Sequence, residues 1–310
     1  MVAMLRAAAL RVGVFLLPVM CLLPAPGGGA TDAAPTYRRL CAQCHGEDGD
    51  GLFYANVVPL AGIARRYPPE RIGQLSGAFS GRLLQGRELD AMVAYMSSLR
   101  GEKGFADPGW IVTPYFVEKK APRVSEVRVL DTRSASAFSR GHVPNAVNAA
   151  AGACIEPPQR TRDWLAYHNI GPETLVIAVD ETGGPDAACL WWKLRRAGHP
   201  FAVVMDGGMR RYASEQRQST GPIGAIADSR KGATPPHAWD WRSAMNASGF
   251  RPQDELQMLT AAYGYTVGTR MPWTGGEPEL AHLVLTLHLL GYEPRYDERT
   301  AAVSVAAPVR

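Results

Sequence analysis

The stretch Cys41-Ala42-Gln43-Cys44-His45, running directly into Gly46-Glu47-Asp48-Gly49-Asp50-Gly51, constrains this chain more than any other feature. Two cysteines spaced in this way sit on one helical turn. There both thiols can add to the vinyl groups of a haem while the adjacent His45 reaches the iron. The spacing therefore predicts one covalent haem c, held by Cys41 and Cys44, with His45 as the proximal iron ligand. A thioredoxin-like redox pair and half of a zinc site use the same spacing. Each lacks its usual company, because no strand-helix-strand pattern surrounds the motif and no second Cys/His pair lies near it.

The 310-residue length allows two or three domains, and a hydrophobic content of 46% is ample for buried cores. Residues 1–30 read as a signal peptide: Arg6 and Arg11 precede the apolar run from Val12 to Pro24, and Gly27-Gly28-Gly29-Ala30 supplies small residues for cleavage. The expected location is the periplasm. The run is short for a membrane span and is interrupted by Pro18 and Pro24, so no stable span is expected after cleavage, with an uncleaved anchor as the minor alternative. Cleavage removes Arg6 and Arg11 and lowers the formal charge from +4 to +2, a balance that gives no support for nucleic-acid binding.

Ala33 to Leu40 reads as a short helix entering the motif, and Arg87 to Leu99 as an amphipathic helix with Leu89, Met92, Val93, Tyr95, Met96 and Leu99 on one stripe. With the glycines after His45 and the loop Pro59-Leu60-Ala61-Gly62, residues 33–104 resemble a small all-α class I c-type cytochrome domain. The resemblance implies electron transfer and a haem that forms much of the domain's own core. It also implies a methionine ligand in the loop before the last helix. That loop, Gly77 to Gly86, contains neither methionine nor histidine, and His45 is the sole histidine before His142. The sixth ligand is thus unknown, with Met92 and Met96 as candidates.

After a Gly/Pro-containing linker, Glu102 to Pro108, the pattern changes. Val127–Asp131, Ala146–Asn148, Leu175–Val179 and Ala202–Met205 read as strands, with helices over Ser134–Ser139 and Ala187–Ala197, which predicts a parallel α/β sheet. The ordered motifs Leu130-Asp131-Thr132-Arg133, Arg140-Gly141-His142-Val143-Pro144, Trp191-Trp192-Lys193-Leu194-Arg195-Arg196-Ala197-Gly198-His199 and Met205-Asp206-Gly207-Gly208-Met209 resemble the rhodanese family over residues 109–225. A working member carries a nucleophilic cysteine at the end of the central strand, cradled by backbone N–H groups. Asp180 stands there, in Asp180-Glu181-Thr182-Gly183-Gly184-Pro185-Asp186, so the resemblance implies an inactive type. His142 reads as the family's structural histidine, and Cys154 as a candidate displaced nucleophile or haem ligand.

Residues 235–310 resemble a truncated second rhodanese module, through Trp239-Asp240-Trp241-Arg242 and Thr274-Gly275-Gly276-Glu277-Pro278 followed by an apolar helix. The nucleophile is absent here too, and a shortened module is expected to pack on the preceding domain because it cannot complete a sheet alone. His282 and His288 lie six apart and do not share a helical face, which argues against a metal pair. Cys154 and Cys189 could form a disulfide or stay as small buried side chains.

Three functions fit. The first is an exported monohaem electron carrier serving a redox partner protein, with the rhodanese-like region used for docking or ligand binding. The second is a sulfur-compound oxidoreductase or sulfurtransferase that uses Cys154 with the haem as electron acceptor. The third is a haem-based sensor of small ligands.

Overall fold

The structure is a computed structural model that describes residues 33–49, 60–65, 67–80, 83–101, 103–120, 127–150, 152–221 and 239–307. The expected signal peptide, Asp50, Gly51 and Pro59 lie outside the described residues. Within them, no helix is long and apolar enough to cross a membrane.

The regular elements of the first module are helices among the described residues. Helix α1 (Ala33–Tyr37) continues through a π turn (Arg38–Ala42) into α2 (Gln43–His45), so both motif cysteines ride on one unbroken helical path. Helices α3 (Pro69–Ser80) and α4 (Gly86–Ser98) follow. Helix α3 takes up the first residues of what the sequence reads as the Gly77–Gly86 loop. Its glycines, Gly73 and Gly77, weaken the helical signal but let Leu84, Leu89 and Leu83 approach closely. Tyr37, Leu60, Ile63, Ile72, Leu84, Met92, Met96 and Leu99 form the apolar cluster of this module.

Next come β1 (Ile111–Val112), α5 (Pro114–Lys120), β2 (Val127–Asp131), α6 (Ala135–Arg140), β3 (Val147–Asn148), α7 (Pro158–Tyr167), β4 (Leu175–Val179), α8 (Pro185–Arg196), β5 (Ala202–Met205) and α9 (Gly208–Ser214). The strands make a five-stranded parallel sheet in the order β1-β5-β4-β2-β3. Its strands β4 and β5 are buried at every position, which explains their continuous apolar sequence. Val176, Ala178 and Val204 face the core containing α8, while Leu175, Ile177, Val179 and Val203 face Phe116, Val117, Met209 and Tyr212 on the other side.

Residues 239–307 do not repeat that parallel order. A two-stranded hairpin, β6 (Met245–Asn246) and β7 (Gly249–Phe250), precedes α10 (Gln253–Ala262), β8 (Arg270–Pro272), α11 (Glu277–Leu289), β9 (Glu293–Asp297) and β10 (Ala302–Ala306). The last three strands pair antiparallel in the order β8-β10-β9. With no helical crossover between β9 and β10, a parallel pairing is unavailable to them. Helix α11 is buried on nearly all sides and packs along α8, so the module does rest on the preceding domain.

Asp206, at the end of β5, fastens this attachment. Its carboxylate, 3% exposed, accepts from Lys103 Nζ at 2.5 Å and Arg211 Nη1 at 2.9 Å, and from the Phe250 backbone N–H at 2.8 Å. One buried anion therefore joins the linker, the rhodanese-like sheet and the hairpin, and its two cations satisfy the charge that burial would otherwise leave uncompensated.

Two histidines of α11 are held neutral. His282 lies against Phe250, accepts from Trp239 Nε1 at 3.2 Å, and finds no partner for Nε2 among the described residues. His288 packs on Trp110 and Trp191. Burial pushes both down to about 3, with Arg195 and Arg65 adding to the effect at His288. An unfolded chain protonates these rings below about 6.5, so between there and the folded value the unfolded state binds more protons and stability falls as pH falls. Urea titrations at pH 7, 6 and 5 are expected to show a stability loss approaching about 1.4 kcal/mol per pH unit for each histidine, and His288→Phe should remove one such contribution. An unchanged slope in that variant would contradict the assignment.

Candidate functional site

The end of β4 shows what became of the rhodanese-type cradle. Asp180 Oδ1 accepts from the backbone N–H groups of Thr182, Gly183 and Gly184 at 2.8, 2.6 and 3.0 Å, and Oδ2 accepts from Ala187 N–H at 3.1 Å. The loop that would hold a thiolate thus holds its own carboxylate, which is 4% exposed. Ala187 stands in the first turn of α8, where the helix dipole favours a negative charge. The loop is enclosed as well. The Met209 and Arg210 N–H groups donate to the Asp180 and Glu181 carbonyls at 2.9 Å each, and a Cβ at Gly184 would meet the Trp241 ring at 3.1 Å.

Arg133 explains the Asp131-Thr132-Arg133 motif. It donates to both Asp131 oxygens, Nε at 3.0 Å to Oδ1 and Nη2 at 2.7 Å to Oδ2, and Nη2 also reaches the Gly141 carbonyl at 2.7 Å. Strand β2 is thereby tied to the turn at His142. His142 Nδ1 lies 2.9 Å from the Phe138 carbonyl, with its ring stacked on Phe138, which fits the structural role expected of it. Glu181 sits beside Arg133 at 3.6 Å, and burial pushes its carboxyl up. Glu181 and Trp241, which the sequence shows only as members of motifs, act through the loop they cover.

Cys154 and Cys189 form a disulfide with Cα atoms 5.0 Å apart, and both side chains are buried. This settles the pairing left open above. Neither sulfur is a free thiol in this state, so Cys154 acts as a nucleophile only after reduction. Glu277 Oε2 accepts from the Cys154 and Ile155 N–H groups at 2.9 and 3.1 Å, which fixes the same loop to the start of α11. Thr274 to Pro278 had only a remnant signature in the sequence, and Glu277 gives it this structural task.

Around the first motif, Cys41 and Cys44 are both free, Cys44 exposed and Cys41 partly buried against the apolar cluster. Burial and the neighbouring Cys44 push the Cys41 thiol up. Tyr37 donates its hydroxyl to the Gly46 carbonyl at 2.8 Å, closing the helix end at His45, and its ring lies 5.2 Å from that of Tyr95 on α4. The helices that carry Tyr37 and Tyr95 thus meet through aromatic rings. Gly49 is required where it stands: φ is +76°, and a Cβ would lie 2.7 Å from Leu99 Cδ1 and 2.8 Å from Ala61 N. Met92 and Met96, 1% and 3% exposed, join the apolar cluster that Cys41 borders. Among the described residues no group of three or more His, Cys, Asp or Glu side chains is placed to hold a metal ion.

A protein-family model described as Rhodanese-like domain matches residues 117–215. That span does not include the Cys41–His45 motif. Among solved structures, the chain is similar to SseA of Escherichia coli, described as a 3-mercaptopyruvate sulfotransferase with the rhodanese fold, at 16% identity over 58% of this chain and 94% of that one, with a TM-score of 0.46. It is also similar to a 3-mercaptopyruvate sulfurtransferase of Leishmania major, at 16% identity over 59% and 70%, TM-score 0.46. A third is an anaerobic ergothioneine biosynthesis enzyme of Chlorobium limicola, at 14% identity over 61% and 65%, TM-score 0.46. No curated protein matches.

Replacing the Asp180 carboxylate should cost stability out of proportion to its size. Asp180→Ala leaves four inward N–H groups without their acceptor and is expected to lower unfolding free energy by about 2–3 kcal/mol. Chemical denaturation measures it, and a change below about 0.5 kcal/mol, the level of an ordinary surface substitution, would contradict this account. The chain carries a rhodanese-like domain.

Proposed function

We propose that this protein is an exported monohaem c-type cytochrome acting in electron transfer, with its rhodanese-like domain serving to bind or dock and not to transfer sulfur. The observation that supports this reading most is the contrast between its two sites. At Cys41 and Cys44 two unpaired thiols share one helical path with His45, and Cys44 is exposed. At Asp180 the position for sulfane sulfur is taken by a carboxylate that uses the cradle's own donors.

The residues present suit haem c. Free thiols are what thioether formation consumes, and His45 closes the helix that carries them. Haem c held there would supply a one-electron redox centre. Tyr37 and Gly49 shape the backbone around the attachment, and the buried thioethers of Met92 and Met96 are the candidates within this module for a further ligand. A protein partner and a periplasmic location belong to the same reading. Cys41→Ala/Cys44→Ala, expressed with a haem-attachment system, is expected to lose the haem that stays with the denatured wild-type chain, as intact mass reports; retention would overturn the proposal.

A second reading, sulfur-compound oxidoreductase or sulfurtransferase, is favoured by the rhodanese-like domain itself. Its remaining nucleophile is Cys154, and the disulfide with Cys189 would have to open first. Thiosulfate:cyanide sulfur transfer by the reduced protein, abolished in Cys154→Ser, would establish it. The first reading expects no transfer above the uncatalysed rate in either form.

A further inference from the structure

The helical module, the linker and the C-terminal module meet around a cavity of about 450 Å³, within the range of small-molecule sites and larger than an inorganic oxyanion requires. Its polar lining comes from all three: Arg65, Ser97 and Arg100, then Asp107, then Tyr292 and Glu293. Backbones close the seam tightly beside it. A Cβ at Gly62 would collide with the Gly109 backbone, so the modules touch there with no side chain between them.

The charges at this seam are unevenly satisfied. Arg65 is paired with Asp107 at 3.0 Å, and Asp107 also accepts from Trp110 Nε1 at 2.9 Å. Arg100 has no hydrogen bond or ion pair among the described residues. Arg195, on α8, lies with its guanidinium 4.2 Å from the centre of the Trp110 ring, while that of Arg65 lies 5.6 Å from the same ring. Arg195 is partly buried, and its guanidinium likewise has no hydrogen bond or ion pair among the described residues. Burial, and then the charge of Arg65, push it down, and Glu293 and Asp107 oppose this only at a distance. Arg195 is not itself part of the lining, but all three of those charged neighbours are.

Three guanidiniums against two carboxylates leave the seam net positive, and a low-dielectric wall concentrates such a field on the cavity. We propose that this cavity binds a small organic dianion. Arg100 donates directly to one of its acidic groups, Arg65 and Arg195 supply the surrounding positive field, and Tyr292 offers a hydroxyl for the rest. A ligand held in this way joins the cysteine-motif module to the rhodanese-like and C-terminal parts of the chain. The inference is independent of what Cys41 and Cys44 carry.

Succinate and citrate, titrated calorimetrically into the full chain at constant ionic strength, test it, with sulfate as an inorganic arm and chloride as the control. Expected are saturable binding of an organic anion, about tenfold weaker in Arg100→Gln, and tighter binding in Glu293→Gln, which removes an opposing charge. Arg100 is exposed, so the ligand-free melting temperature of Arg100→Gln should equal that of the wild type and its affinity should report the site alone. The proposal is overturned by no saturable binding of either organic anion, by sulfate binding as tightly as both, or by affinities that do not respond to the two substitutions.

Discussion

One buried carboxylate joins the end of the central strand to the start of the helix that follows it. Asp180 gathers the N–H groups of Thr182, Gly183, Gly184 and Ala187, and the loop it organises is pinned in turn by Met209 and Arg210. A ring of amides facing one point stabilises negative charge wherever that charge comes from. In a sulfurtransferase the charge arrives as a thiolate or persulfide. In this protein a carboxylate of the chain itself takes up those N–H groups.

The same economy of buried charge holds the modules together. Asp206 collects Lys103 from the linker, Arg211 from α9 and the Phe250 amide from the hairpin, and Arg65 reaches across to Asp107 from the helical module. The disulfide between Cys154 and Cys189, with Glu277 across the following peptide, closes the loop after β3 onto α8 and α11.

Much of this was legible in the residues. The apolar runs of β2, β4 and β5 declare buried parallel strands, and the stripe on α4 declares its inner face. What stayed hidden has local causes. Strand β1 is two residues long, and only its pairing with β5 makes it a strand. Helix α7 carries little apolar sequence, and α3 contains two glycines. Strand β9, Glu-Pro-Arg-Tyr-Asp, is too polar to suggest the antiparallel sheet it enters. At the site, the position of Asp180 after β4 could be read from the sequence, but its four hydrogen bonds could not. The cysteine pairing needed positions in space, because spacing in the chain says nothing of Cβ distance.

In the proposed function, the redox chemistry of this chain belongs to Cys41, Cys44 and His45. A redox titration of the purified full-length protein, followed by its visible absorption, tests it most directly. The account predicts a c-type haem spectrum that changes reversibly between oxidised and reduced forms as one one-electron step. A protein isolated after co-expression with haem-attachment machinery that shows no haem absorption, with Cys41 and Cys44 both still alkylatable, would contradict it.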